Sequence, residues 1–271
     1  MSEKPLTKND KIEKLIELAG NQNLYQYSTL FIVCFVWCLT FFLCQSISVI
    51  EDLPIAQYTN SSGHNITEPI NYEICEGNYS ITYRPGYSVV SEFGIECKSV
   101  QTGLIGTSFT TGVMIGCTTF GFLIKFIPSK IMITVSLLVY AISLVMMAIT
   151  RKYVAFCIGE FICGIAMEFA TLPSIVLLEE IVGKSKRAMF SCVVAVFETV
   201  VFYIPLFYLF NEWTIVFYIV AALILIEILF VNLFLFESPR RYMETGDTNK
   251  IIEILKGIAN FNGKIKVLKL V

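Results

Sequence analysis

The sequence is short of charged residues. Only 15% of its 271 residues are charged, while 55% are hydrophobic, and a soluble domain carries roughly a quarter charged residues. A soluble protein of this length needs a charged exterior, so the composition excludes an ordinary soluble enzyme. The formal net charge of −2 also excludes the basic surface with which proteins bind nucleic acid. The sequence therefore indicates a membrane protein, with lipid around it and no nucleic-acid partner.

Residues for catalytic or metal chemistry are scarce as well. The chain has one histidine, His64, and it contains no G-x-S-x-G, P-loop or H-E-x-x-H motif. Cys34 and Cys38 are spaced to share a helix face, but the pair lacks the third and fourth ligands of a metal site. We therefore expect no enzymatic activity, no metal and no cofactor.

Six long apolar runs are present instead. A bilayer core about 30 Å thick is crossed by about 20 helical residues, and each run is close to that length. The runs cover residues 29–50, 102–124, 131–149, 153–178, 188–209 and 213–236. None has the alternating pattern of a barrel strand. The predicted fold class is all-α, a polytopic membrane protein with six transmembrane helices.

The basic residues predict the orientation of the chain. Lysine and arginine collect on the cytoplasmic side of membrane proteins. If the N-terminus is cytoplasmic, the outside segments hold only four of the 20 lysines and arginines, namely Arg84, Lys98, Arg151 and Lys152. We therefore expect both termini to be cytoplasmic.

This topology divides the chain into three regions. Residues 1–28 form a cytoplasmic segment in which Ile12, Leu15 and Ile16 lie on one face of an amphipathic helix. Residues 29–236 form the membrane domain, and residues 237–271 form a cytoplasmic segment after the sixth span.

The first outside loop, residues 51–98, carries three N-x-S/T sequences, at Asn60, Asn65 and Asn78. Such a sequence is glycosylated only on the lumenal side of the membrane. Three of them in one predicted outside loop favour a glycoprotein, and the alternative is a solvated loop rich in serine, threonine and asparagine.

The same loop contains two of the nine cysteines, Cys75 and Cys97. The outside compartment is oxidising, so we expect these two to form a disulfide. It would close a loop of about 20 residues and stabilise the fold by roughly 3 kcal/mol. The alternatives are two free thiols or pairing with another chain.

Three motifs, together with one loop, carry a resemblance to a known family. They are Ser91-Glu92-Phe93-Gly94-Ile95-Glu96-Cys97, then Gly112 and Gly116 followed by Gly121-Phe122-Leu123, then Glu237-Ser238-Pro239-Arg240, and the loop from Glu180 to Arg187. The sequence resembles the N-terminal six-helix half of the organic cation/anion transporter family of the major facilitator superfamily. Gly112 and Gly116 share a helix face on which a neighbouring helix can approach closely.

This resemblance implies a transporter of small organic ions that works by alternating access at the plasma membrane, with organic cations favoured. Members of the superfamily have two six-helix halves with the substrate between them, so it implies a fragment of a twelve-helix protein whose partner is the missing C-terminal half or a second copy. The alternatives are a sugar transporter of the same superfamily, or a truncated, non-transporting membrane protein that binds a partner.

The sequence departs from the family between the second and third spans. The family's charged D-R-x-G-R-R loop is replaced by residues 125–130, where the acidic position is Lys125 and only Lys130 keeps a basic charge in register. The usual charge network is therefore in doubt, and one possible compensation is pairing of Lys125 with Glu179 or Glu180.

Four acidic residues lie inside predicted spans, at Glu160, Glu168, Glu198 and Glu227. An ionised group at the bilayer centre costs about 2.5–3.5 kcal/mol on insertion scales, and such groups usually face a water-filled cavity. We expect an acidic cavity that attracts an organic cation. The alternative is that the acids bond to nearby hydroxyl groups or lie near lipid headgroups.

Other polar and aromatic residues in the spans could line such a cavity. Aromatic rings bind cations by their faces, although most rings in so apolar a chain pack against protein or lipid. The candidates are Gln45 and Thr111 among the polar residues, and Trp37, Phe109, Phe197 and Tyr203 among the aromatic ones.

Overall fold

The computed structural model describes residues 23–59, 64–70, 75, 79–183, 186–199 and 203–263, with the side chains of 243–245 left aside. Its elements are, in chain order, α1 (Leu24–Thr40), α2 (Phe42–Ile50), β1 (Ile55–Thr59), β2 (Asn65–Pro69), β3 (Tyr79–Tyr83), α3 (Val89–Phe93), α4 (Ser99–Leu123), α5 (Ser129–Thr150), α6 (Tyr153–Ile181), α7 (Arg187–Glu198), α8 (Ile204–Phe210), α9 (Trp213–Phe234), α10 (Pro239–Thr245) and α11 (Thr248–Phe261). The protein is therefore mostly helical.

Long helices run between two ends of the molecule. The loop end lies beside β1, β2, β3 and α3, and the tail end lies beside α10 and α11. Helix α6 is central, since it packs against α4, α5 and α1, while α9 packs against α5 and α1. Side chains of α1, α4 and α5 therefore meet at α6.

Four segments are long and apolar enough to cross a membrane. They are Leu24–Ile50, Ser129–Thr150, Tyr153–Ile181 and Trp213–Phe234. Helix α4 covers the second predicted span with 25 residues, but it is rich in threonine, serine and glycine and is not one of the four. The fifth predicted span corresponds to α7 and α8, which have 12 and 7 residues. The predicted count of six is therefore not confirmed.

Glycine brings α4 and α6 into close contact. A Cβ atom on Gly112 would lie 2.1 Å from the carbonyl oxygen of Phe161, and one on Gly164 would lie 2.2 Å from that of Phe109. Glycine is thus required on both sides of the contact, because any side chain there would overlap the facing backbone.

Aromatic side chains fill the core near the loop end. Phe42 stacks parallel to Phe207 with ring centroids 6.1 Å apart, and it meets Phe217 edge-on at 5.3 Å. Trp213 meets Phe217 edge-on at 5.0 Å. Edge-to-face contacts of this kind add to the free energy gained by burial, so α2, α8 and α9 are held together here by ring packing.

The loop between α2 and α4 contains a small sheet that the sequence analysis did not predict. Strand β1 lies in the centre, with β2 and β3 antiparallel on either side. Ala56 and Ile70 are buried under the sheet beside the Cys75–Cys97 disulfide. The predicted disulfide is confirmed, and it joins the sheet region to the start of α4.

The tail end is closed by α11 and the start of α1. Ile251, Leu255 and Ile258 of α11 are buried, as expected for an amphipathic helix packed on the protein. The side-chain oxygen of Asn262 accepts a hydrogen bond from the backbone amide of Tyr25 at 2.9 Å, and the Tyr25 hydroxyl accepts one from the amide of Phe236 at 2.9 Å. The predicted N-terminal amphipathic helix lies outside the described residues.

Candidate functional site

The first spanning segment is interrupted at Phe41, between α1 and α2. Helical hydrogen bonds continue across this residue, from the amide of Phe41 to the carbonyl of Trp37 at 3.0 Å and from the amide of Gln45 to the carbonyl of Phe41 at 3.1 Å. The hydroxyl of Tyr140 on α5 donates a hydrogen bond to the carbonyl oxygen of Thr40, with an O–O distance of 2.8 Å. The Tyr140 hydroxyl therefore supports the chain at this point, and the next residues of α2 include Gln45, which reaches the backbone of α7.

Four residues near this point form what we call the central cluster, namely Cys44 and Gln45 on α2, Glu160 on α6 and Glu198 on α7. The amide nitrogen of Gln45 donates to the backbone carbonyl of Glu198 at 3.5 Å. The Cys44 thiol lies within electrostatic range of both Glu160 and Glu198. The structure thus brings together two of the four predicted acids and the predicted Gln45, from three different helices.

Glu160 is the most buried member of the central cluster. Its side chain is 1% exposed, and its Oε1 atom has no hydrogen-bond partner among the described residues. Glu51, just after α2, is within electrostatic range of it. Burial raises the pKa of Glu51 above its usual range, and a hydrogen bond from the backbone of Gly106 partly opposes that rise. Glu160 and Glu198, with Glu51 close by, form no ion pair with a lysine or arginine in the described part of the chain.

Trp37 lies on the same side of α6, nearer the tail end. Its indole nitrogen donates to the hydroxyl of Ser174 at 3.1 Å, and its ring stacks on Phe41 with centroids 5.6 Å apart. Trp37 is thus held in one orientation beside the interruption of the first span.

Glu168 lies apart from the central cluster. It faces α4, where its side chain covers Gly116 and its Oε2 atom accepts a hydrogen bond from the Cys117 thiol at 3.6 Å. Thr111 is on the exposed side of α4 and donates to the carbonyl of Thr107 at 2.7 Å. Both predicted residues therefore belong to the α4 side of the molecule.

Glu227 lies in a different place again, between α1 and α9. It lines a cavity of about 960 Å³ that Phe197 also lines. Phe109 and Tyr203 are buried in helix packing, with Tyr203 edge-on to Phe42 at 5.0 Å. The four predicted acids are thus distributed over three surroundings rather than gathered in one.

The tail-end motif Glu237-Ser238-Pro239-Arg240 joins helix ends. The two carboxylate oxygens of Glu237 accept hydrogen bonds from the backbone amides of Ser129 and Lys130, at 3.2 and 3.0 Å. A carboxylate is stabilising at a helix N-terminus, where amides are unpaired and the helix dipole is positive. Glu237 therefore caps α5.

Two cations complete this arrangement, which we call the tail-end latch (Glu237, Lys130 and Arg241). Arg241 donates to the carbonyls of Ile124 and Ile127, at 2.9 and 2.7 Å, and so caps the end of α4. The ammonium group of Lys130 donates to two carbonyls at the end of α9, each at 2.8 Å. Sequence reasoning missed Arg241, although cations favour helix C-termini and the residue follows the motif directly.

Lys125 does not take part in the tail-end latch. It is exposed and forms no ion pair with any residue that the structure describes. The Glu179 carboxylate instead accepts a hydrogen bond from the Ser191 hydroxyl at 3.0 Å. The described residues therefore do not form the pairing of Lys125 with Glu179 or Glu180 that the sequence suggests as a compensation.

The first motif anchors the loop on the helices. Ser88 caps α3, and Gly94 ends it with a positive φ of 61°, a conformation that favours glycine. Glu92 accepts a hydrogen bond from the Trp213 indole and pairs with Arg151 at 3.8 Å. Arg84 pairs with Glu96 at 3.0 Å.

Next to this anchor, the Tyr87 hydroxyl donates to the Asp52 carboxylate at 3.0 Å, and burial together with this bond raises the pKa of Tyr87. The phenol therefore stays protonated and keeps the start of the loop close to the start of α3. Within the described part of the chain, no three histidine, cysteine or acidic side chains are placed to hold a metal ion.

The helical arrangement and the motif contacts agree with one known family. The sequence model of the Major Facilitator Superfamily matches residues 80–268, which is more than half of the chain. The chain belongs to this superfamily. It is a multi-pass membrane protein with a partial major facilitator fold.

Several curated proteins of the Major Facilitator Superfamily are similar to this chain. Organic cation/carnitine transporter 4 of Arabidopsis thaliana is 26% identical over 262 residues, which make up 93% of this chain and 48% of that protein. Solute carrier family 22 member 2 of Rattus norvegicus is 29% identical over 185 residues, or 66% of this chain and 33% of that protein. Organic anion transporter 3 of Mus musculus is 29% identical over 180 residues, or 65% and 33%.

The resemblance to the organic cation and anion transporters of the Major Facilitator Superfamily is therefore confirmed, and the relatives are transporters rather than enzymes. The chain spans about half the length of the first of these relatives and about a third of the other two.

Proposed function

We propose that this chain forms one half of a transporter for small organic ions, with organic cations favoured, and that the transporter works by alternating access. The names of the relatives support the class of substrate. The central cluster carries the proposal, because it places two carboxyl groups beside the interruption in the first span. Interrupted helices lie at the substrate sites of many transporters.

The charge of the central cluster favours a cation. Glu160 and Glu198 form no ion pair with any lysine or arginine that the structure describes. Carboxyl groups inside a membrane domain usually face a cavity or pair with an opposite charge. An organic cation near Cys44 supplies that charge.

The faces of α4 and α7 support a second half. Thr107, Thr111 and Met114 on α4, and Cys192 and Val196 on α7, are exposed in this chain alone. In the superfamily the substrate lies between two six-helix halves. We infer that a C-terminal half, or a second copy, covers these faces and closes the path around the central cluster.

The helix ends support movement of the half as one body. The tail-end latch joins α4, α5 and α9 at one end, and the Glu92–Trp213 contact joins α3 and α9 at the other. Alternating access is largely a rigid-body motion of one half against the other, and contacts at both ends resist deformation within the half.

We further propose a plasma-membrane location, with both termini cytoplasmic and the loop 51–98 outside. The basic residues of the tail-end latch and the sequences for glycosylation support this orientation. The regions 1–28 and 237–271 are then cytoplasmic, and residues 29–236 form the six-helix membrane domain.

Uptake by cells tests the proposed function. The full-length product of the locus should take up labelled tetraethylammonium, and Glu160→Gln should lower that uptake at least fivefold, about 1 kcal/mol, because it removes a charge from the path. Glu253→Gln, an exposed position on α11, is the matched control and should leave uptake unchanged. Uptake of a neutral sugar but no cation would instead support the sugar transporter.

The mass of the native protein after glycan removal tests the half-transporter. An immunoblot against the loop should give a band near twice the 30.6 kDa of this chain. A band at 30.6 kDa with uptake would require a dimer. A band there with normal surface expression and no uptake would contradict the proposal and support a non-transporting protein that binds a partner.

A further inference from the structure

A cavity away from the central cluster has the features of a second binding site. It lies between one face of α1, with Tyr27, Phe31 and Phe35, and one face of α9, with Glu227 and Phe230. Its volume is about 960 Å³, which is within the range of cavities that hold small organic ligands. The described residues of this chain form it without any second half.

A single carboxyl group is placed in this apolar cavity. The Glu227 side chain is 5% exposed, and its Oε1 atom has no hydrogen-bond partner among the described residues. It lies seven residues before the end of α9, which is about 10 Å along the helix. A buried polar group without a partner costs free energy, so an occupant that offers a positive charge or a donor there is favoured.

The walls beside Glu227 are aromatic. Phe31 and Phe35 lie 4.7 Å apart between centroids, and Phe230 and Phe234 stack at 5.9 Å. Phe31, Phe35 and Phe230 are exposed in the chain, and each presents its ring to the cavity or its mouth. Aromatic faces attract ammonium groups, and their apolar area binds alkyl chains.

We propose that this cavity binds an amphiphilic ammonium compound, with its positive head at Glu227 and its alkyl body along the phenylalanine rings of α1 and α9. The site differs from the proposed transport path, because Glu160 and Glu198 do not line it. It is formed by this chain alone and does not depend on the proposed transport.

The ammonium head has two possible sources, a free alkylammonium compound or the choline headgroup of a membrane lipid. Both have the same chemistry at Glu227. The cavity runs from Tyr27, near the tail end of α1, to Leu39 and Leu223 deeper in the bundle, so a chain-bearing cation can lie along it in either case.

Binding of decyltrimethylammonium to the purified full chain in phosphatidylglycerol nanodiscs tests the proposal. Empty nanodiscs give the partition into lipid, which is subtracted. We expect saturable binding, weakened about tenfold or more by Glu227→Gln because a charged partner is lost, and retained in Glu227→Asp. Phe230→Ala should weaken binding, whereas Phe122→Ala, an exposed ring on α4 outside the cavity, should not.

Two further measurements test the role of the charge and the source of the ammonium group. 1-Decanol, which has the same chain without the charge, should compete weakly with the probe. The second measurement compares probe binding in phosphatidylcholine and phosphatidylglycerol nanodiscs. Weaker binding in phosphatidylcholine, with no such difference between the two lipids in Glu227→Gln, identifies the lipid headgroup as an occupant. Equal binding in the two lipids identifies the free cation, and both results support the site. Equal affinity of the unchanged chain and Glu227→Gln, with equal thermal stability of the two, would overturn it.

Discussion

At the scale of single residues, Gly112 sets how closely α4 can approach α6. Gly112→Ala should destabilise the protein by roughly 1–3 kcal/mol, the usual cost of overpacking, because the new methyl group would overlap the carbonyl of Phe161. Thermal unfolding in detergent measures the change. Gly121→Ala on the same helix is the control, since a Cβ there meets no atom within 4 Å and alanine favours the helix. Equal losses in both variants would show that the contact is not tight.

Glu51 is a second residue whose effect can be measured. Because burial raises its pKa, the folded protein loses stability as the pH rises from about 4.3, the value of an exposed glutamate, through the raised pKa. Glu51→Gln should remove this loss. Its melting temperature should equal that of the unchanged chain at pH 4 and exceed it at pH 7. A constant difference between the two pH values would contradict the raised pKa.

These residue-scale features differ in how well the sequence predicts them. The spacing of Gly112 and Gly116 indicates a face for close helix contact, and the structure has α6 there. The disulfide followed from the positions of Cys75 and Cys97. The surroundings of the acids could not be predicted, because helical periodicity does not say which neighbour a face meets. Glu227 therefore could not be separated from Glu160 before the helices were placed.

At the scale of elements, the tail-end latch is a set of helix caps. Glu237→Ala should destabilise the protein by about 1–2 kcal/mol, because the amides of Ser129 and Lys130 lose their acceptors and α5 loses a favourable charge. Hydrogen exchange, followed by mass spectrometry of the peptide at the start of α5, should become faster. Glu237→Gln keeps one acceptor oxygen, so its effect should be smaller. If exchange at α5 is unaltered in Glu237→Ala, the cap is not formed.

The elements themselves were only partly predictable. Long apolar runs predicted α5, α6 and α9 well, because a continuous run of that length has few other structures in a membrane. The three strands of the loop were missed, although residues 55–59 are rich in residues that favour strands. Short strands become stable only through pairing, and the pairing of β1 with β3 joins segments that the sequence gives no reason to align.

At the scale of the whole molecule, the proposed orientation places three sequences for glycosylation outside the cell. Asn65 is exposed at the start of β2, while Asn60 and Asn78 lie outside the described residues. Replacement of each asparagine with glutamine should remove one glycan for each site that is glycosylated. The expressed protein should then run faster on a gel by the shift that one glycan causes. A protein that runs alike with and without glycosidase would contradict the orientation.

The contact between Glu92 and Trp213 has a consequence for synthesis of the chain. The two residues are 121 positions apart, and ribosomes add roughly 5–20 residues each second. The loop therefore exists for on the order of 10 s before its anchor on α9 has been made. The sheet, the Cys75–Cys97 disulfide, the Tyr87–Asp52 hydrogen bond and the Arg84–Glu96 pair involve no residue of α9. The contacts that organise the loop are therefore available to it before α9 has been synthesised.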